Sequence, residues 1–143
     1  MNSIKQFSYN PREDELEKAS NSYLMSLIAI MVGLPLPIIN LIGTFIFFLG
    51  NIKGTYFVRW HCIQALISQV FLLCINFISV SWTLSIIFST NTITNNYISY
   101  VLSAIIVNII EFIATIHSMV KVRNGYHVEW WFFGKLTHYL CKS

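Results

Sequence analysis

The sequence predicts an all-α membrane protein: a four-helix bundle whose first two helices form a proline-broken re-entrant or short hairpin, with an interfacial amphipathic helix after it. Composition is the first observation. Of 143 residues, 55% are hydrophobic and 10% are charged, against roughly 25% charged in an ordinary soluble domain. The second is where the charges lie: between residues 22 and 120 only Lys53, Arg59 and Glu111 are charged. The third is that the apolar segments in this interval are long enough to cross a hydrocarbon core of about 30 Å.

Residues 1–21 read as a cytoplasmic tail. Asn10-Pro11-Arg12-Glu13 has the pattern of an N-cap, a proline at the first helical position and an acidic third position, which predicts a short solvated helix over about 11–20. The tail mixes basic and acidic groups and lacks the apolar core and small-residue cleavage site of a secretory signal.

Residues 22–123 read as the membrane bundle. Its first apolar stretch, Tyr23 to Gly50, would reach roughly 42 Å as one helix. Gly33-Leu34-Pro35-Leu36-Pro37 lies near its middle, and each proline removes an amide donor and disfavours helix in the residue before it. Two half-helices should result, as a re-entrant hairpin or as one kinked span. The next stretches, Tyr56 to Phe88 and Tyr97 to Val120, are each long enough to span. The polar, uncharged loop Ser89 to Asn96 between them has Lys53 and Arg59 at one far end and Lys121 and Arg123 at the other. The positive-inside rule therefore puts the loop outside and residues 51–59 and 121–143 in the cytoplasm, and a hairpin would put the N-terminus there as well. A hairpin keeps all 9 Lys and Arg residues on one side, whereas a kinked span exports Lys5, Arg12 and Lys18, so the count favours the hairpin.

Residues 124–143 read as an interfacial aromatic segment. Trp130, Trp131 and Phe133 are the expected anchors in the headgroup layer, with Phe133, Leu136 and Leu140 at helical spacing.

Glu111 is the ionisable group deepest in the apolar interval, and a carboxyl there is costly unless neutralised or paired. Counting ten residues inward from the cytoplasmic edge of each segment brings Asn40, Gln69 and Glu111 to one depth. Asn108 and Thr115, three before and four after Glu111, widen this expected midplane polar cluster. Along the second stretch His61, Gln64 and Ser68 recur at helical spacing, and Asn76 and Ser79 continue that face. Interhelical hydrogen bonding is the plainer reading of the stripe and a hydrophilic path the other. His61, beside Arg59 and Trp60, reads as an interfacial side chain reaching the headgroup layer.

No zinc-protease, nucleophile-elbow, phosphate-loop or Cys-x-x-Cys pattern is present. His138 and Cys141 are spaced like half a zinc site but lack a second pair of comparable spacing, so no metal, cofactor or small-molecule substrate is expected. Cys62, Cys74 and Cys141 have no redox-like spacing and read as free thiols. The net charge of +3 is small and scattered, unlike a nucleic-acid footprint.

Phe57-Val58-Arg59-Trp60-His61-Cys62-Ile63-Gln64-Ala65-Leu66 resembles a motif of the superfamily that contains the multispanning subunit of the chloroplast inner-envelope protein translocon and its small bacterial relatives. The likeness extends over about residues 22–130. Upstream it takes in Pro37-Ile38-Ile39-Asn40-Leu41-Ile42-Gly43, and downstream Lys121-Val122-Arg123-Asn124-Gly125-Tyr126. Trp60 stands where the motif more often has Phe. The resemblance implies a four-helix membrane protein with both termini on one side and, for the plastid members, precursor-protein translocation. The expected function is a non-enzymatic subunit of an inner or plasma membrane, in contact with lipid and with other membrane proteins. The rival is a small channel or transporter using Glu111.

Overall fold

The structure, a computed structural model, describes residues 3–5, 9–33, 37–89 and 92–141. Its elements run β1 (Ser3–Lys5), α1 (Glu13–Gly33), α2 (Pro37–Asn51), α3 (Tyr56–Phe88), α4 (Asn95–Arg123), β2 (His127–Glu129) and α5 (Phe133–Leu140). The chain is mostly helical, as expected, but the all-α expectation misses the antiparallel pair of β1 and β2, in register Ser3↔Glu129, Ile4↔Val128 and Lys5↔His127.

Helix α1 begins two residues later than the Asn10 cap implies. The Arg12 carbonyl accepts from the Glu15 and Leu16 amides at 3.0 Å, and the Glu15 carboxylate accepts from the Arg12 amide at 2.9 Å. This is the Glu half of a capping box, centred on Arg12. The helix does not stop at residue 20 but continues to Gly33, so the expected tail helix and the first half-helix are one element. Nothing from Ala19 to Ser22 forbids this: the Ser22 and Ser26 hydroxyls donate to carbonyls of the preceding turn, Ala19 at 2.7 Å and Ser22 at 3.3 Å.

The expected break at Gly33 to Pro37 falls largely on residues 34–36, outside the described residues. On its far side α2 opens at Pro37, where a missing amide proton costs nothing. Helices α1 and α2 pack side by side: Ser26 Oγ is 3.5 Å from Thr44 Oγ1, both buried. Helix α1 also packs on α3 and α4, and α2 on α3.

Helix α4 is capped at both ends. Thr94 Oγ1 accepts from the Tyr97 amide at 3.3 Å, the N-cap to N3 bond. At the other end Tyr126 N donates to Lys121 O and Gly125 N to Val122 O, each at 3.0 Å, with Gly125 at φ +85°. This Schellman turn needs a left-handed residue at Gly125, and it sends the chain back into β2 and α5. The segment expected to be one helix is therefore a strand and a short helix, and α5 packs on α3.

The core lies where α1, α3, α4 and this returning segment meet: Ala19, Tyr23, Phe57, Ala65, Val122, Val128, Trp130 and Phe133. Two of the three expected anchors thus point inward. Trp130 is 5% exposed, stacks on Tyr23 with ring centroids 6.3 Å apart and donates from Nε1 to Ser118 Oγ at 2.6 Å. Trp131 and Phe132 point outward, at 79% and 68% exposed. The turn at residues 131–132, between β2 and α5, puts these two rings outside while Trp130 before it and Phe133 after it turn inward.

The core occupies one end of the long helices only. Buried residues on α3 run from Phe57 to Leu72 and stop, and the remaining turns carry exposed Phe77, Ile78, Leu84, Ile87 and Phe88. Both α3 and α4 are long and apolar enough to cross a bilayer.

Replacing Trp130 with Ala should lower stability by about 3–5 kcal/mol, as for a large buried ring. Trp131→Ala should stay within about 0.5 kcal/mol, as for an ordinary surface change. Thermal unfolding of the two variants in detergent checks the pair, and an equal loss in both would return Trp130 to the surface.

Candidate functional site

Two hydrogen-bonded clusters line the inner face of α3. The first surrounds Glu111 on α4. Gln69 Nε2 donates to Glu111 Oε1 at 2.9 Å, Thr115 Oγ1 at 3.1 Å and Ser68 Oγ at 3.2 Å. Ser68 has one hydroxyl proton, which it divides between this oxygen and the Ala65 carbonyl at 2.8 Å. Among the described residues Glu111 Oε2 has no partner, although it is buried. Of the expected midplane cluster, Gln69, Glu111 and Thr115 meet. Asn108 instead exchanges amide hydrogen bonds with Asn76, at 2.8 and 3.0 Å, about one turn from Glu111 along α4 and two turns from Gln69 along α3. The Asn40 side chain lies outside the described residues.

The second cluster is built around Gln64, which is fully buried. Its Nε2 donates to Tyr23 Oη at 2.8 Å and to the Val128 carbonyl at 3.1 Å. Its Oε1 accepts from the Trp130 amide at 3.1 Å. One side chain of α3 thereby grips α1 and the backbone on both sides of Glu129.

Beside it runs a chain of polar rings. Tyr23 Oη lies 2.9 Å from His61 Nδ1, and His61 Nε2 lies 3.2 Å from His127 Nδ1. The other nitrogen of His127, Nε2, lies 3.4 Å from Glu129 Oε1, which His138 Nε2 approaches to 2.8 Å. Trp60 Nε1 faces His138 Nδ1 at 3.4 Å. Indole only donates, so His138 Nδ1 accepts and its Nε2 carries the proton given to Glu129. One assignment satisfies the rest with neutral rings. Tyr23 accepts from Gln64 and donates to His61, His61 donates to His127, and His127 donates to Glu129. Every proton then points toward Glu129 Oε1.

His61 is accordingly not a headgroup-layer side chain. It is fully buried, with Phe57, Trp60 and His127 packed edge-on around it at centroid distances of 4.7, 5.0 and 5.0 Å. Trp60 is also fully buried, and Arg59 keeps a buried Nε without a partner among the described residues.

Tyr23, His127 and Glu129 are site residues that sequence reasoning did not single out. On a helix, residues two apart diverge by about 200°, so His127 and Glu129 look unrelated; on a strand they share a face. With His138 they offer three ligand atoms within 4.8 Å of one another, although the sequence led to no metal site being expected. Cys141 closes α5 as a buried thiol, pushed above its ordinary pKa by burial, with Arg59 acting the other way.

Gln64→Leu should orphan the Trp130 amide and the Val128 carbonyl, at about 1–3 kcal/mol for each buried group left unpaired. Hydrogen exchange of the Trp130 amide should accelerate relative to the α3 amides, and unchanged protection would contradict the role given to Gln64. Compared with protein-family models, curated proteins and solved structures, the chain matches none.

Proposed function

We propose that this chain is a multi-pass protein of an inner or plasma membrane that serves as a non-enzymatic subunit of a larger membrane assembly. Embedding accounts for the surface. Only 6% of the apolar window of α3 and 17% of that of α4 is buried, whereas the core helix of a soluble protein would be mostly covered. The exposed Ile and Phe side chains of both helices then face lipid tails, which soluble monomers cannot offer to so large an apolar surface. In this reading α1 and α2 form the re-entrant or short hairpin of a four-helix bundle, both termini lie in the cytoplasm, and all 9 Lys and Arg residues share that side.

The single observation that carries the non-catalytic reading is the use made of the motif side chains. His61 and Gln64 spend their hydrogen bonds holding Tyr23 and the returning segment, which makes the motif a brace for the cytoplasmic end. Such a brace keeps a rigid cytoplasmic surface in register with the membrane helices, as a docking subunit requires. The resemblance to the plastid translocon superfamily favours protein transport as the work of the assembly.

A second reading rests on Glu111, whose Oε2 faces no donor among the described residues: a small channel or transporter passing a proton or cation at that depth.

In native membranes, crosslinking should capture the chain with at least one other membrane protein, and recovery solely as a monomer would count against the subunit reading. In a cysteine-free background, an impermeant thiol reagent should label a single cysteine at position 95 and not at position 3 or 143. Labelling at position 3 would turn the hairpin into a full span. Glu111→Gln should leave proton and cation flux in reconstituted vesicles unchanged, and a loss of flux would favour the second reading.

A further inference from the structure

We propose that His127, Glu129 and His138 form a binding site for a divalent transition metal of the zinc class, independent of how the chain functions in the membrane. The three ligand atoms are His127 Nε2, Glu129 Oε1 and His138 Nε2. Glu129 Oε1 lies 3.4 Å from the first and 2.8 Å from the last, and all three lie within 4.8 Å of one another. Metal–ligand bonds of about 2.0–2.2 Å at tetrahedral angles separate ligand atoms by roughly 3.3 Å. An ion therefore needs the Glu129 to His138 pair to open by about half an ångström, and the two histidine nitrogens, which lie within 4.8 Å of each other, to draw together by at most about 1.5 Å.

The ligands come from elements that the fold already holds. Strand spacing puts His127 and Glu129 on one face of β2, and the β1 pairing and the Gln64 bonds to Val128 and Trp130 fix that strand. Gly134, at the head of α5, lies against Glu129, where an added Cβ would come within 3.3 Å of Glu129 Cβ. That close approach returns α5 far enough for His138 to reach the carboxylate. His127 and Glu129 are buried, while the His138 side chain is 48% exposed and leaves a way in.

Two imidazoles and one carboxylate select zinc-class ions over magnesium or calcium, which prefer oxygen ligands. Three protein ligands leave the fourth position to water. His127 Nδ1 faces His61 Nε2 at 3.2 Å, so its second nitrogen has the outer partner that metal-bound histidines use to fix their tautomer. Binding requires both Nε2 atoms to be unprotonated. The proton of each ring then sits on Nδ1, which ends the weak 3.4 Å bond from Trp60 to His138.

The test uses the full chain, purified without an oligohistidine tag and folded in detergent, titrated with zinc chloride against a chelating indicator. One equivalent should bind. His138→Ala, at a half-exposed position, and Glu129→Gln, which keeps the side-chain shape, should each weaken zinc by at least about 100-fold, the upper end of what even outer-partner mutations cost. A folded wild-type chain that takes up no stoichiometric zinc overturns the proposal. So does undiminished affinity in both variants.

Discussion

A buried amide without hydrogen bonds is costly, and Gln64 is where this fold meets that constraint most tightly. Its two donor bonds and one acceptor bond reach α1 through Tyr23 and the returning chain through Val128 and Trp130. In a low-dielectric interior each such bond is stronger than in water, and each omission is dearer. The register of α3 against α1 and the path of residues 127–130 are therefore set together. A shift of either would leave polar atoms unpaired where water does not reach. The rings of Tyr23, Phe57 and Trp130 then fill the space around this joint.

Beyond Leu72 the physics changes. Among the described residues the buried core does not extend along the outer halves of α3 and α4, whose Ile and Phe side chains are largely exposed, and the contacts between the two helices there are polar and aromatic. Asn76 bonds Asn108, Tyr100 Oη donates to the Ile75 carbonyl at 3.0 Å, Thr83 meets Tyr97 at 2.9 Å, and the centroid of the Trp82 ring lies 5.8 Å from that of Tyr97 and 6.0 Å from that of Tyr100. Helices in lipid gain little from burying apolar surface against one another, so packing of small residues and interhelical hydrogen bonds must hold them. Ala104, a small buried residue on the outer half of α4, fits that logic.

The long helices were legible because length and apolarity are one-dimensional properties. The common level of Gln69 and Glu111 along the two helices was legible too, since counting from the segment ends aligns two side chains that meet at 2.9 Å. The pairing of Asn108 was not: it is only three residues from Glu111, yet its side-chain partner on α3 is Asn76, seven residues beyond Gln69. The fate of the aromatics was equally hidden, because Trp130 and Trp131 have the same composition signal and only the turn at Gly125 decides which one enters the core. The strand pair escaped notice because each strand is three residues long. Such a strand carries no periodicity of its own and exists only once its partner, more than a hundred residues away, is in place.

His127 links the two parts of the site that the sequence left unconnected. One of its nitrogens faces Glu129 and the other faces His61, and a neutral ring carries a single proton. If that proton sits on Nε2, Tyr23, His61 and His127 each find both a donor and an acceptor, and Glu129 collects the result. If an ion takes Nε2, the proton moves to Nδ1, His61 must accept from it and donate to Tyr23, and the Tyr23 hydroxyl proton loses its acceptor in His61. An ion at β2 would thus be felt at Tyr23 in the core through three rings with no change of fold. The buried network opposes the ion by the cost of turning those bonds around, so the affinity of the site and the order of the core are two readings of one equilibrium.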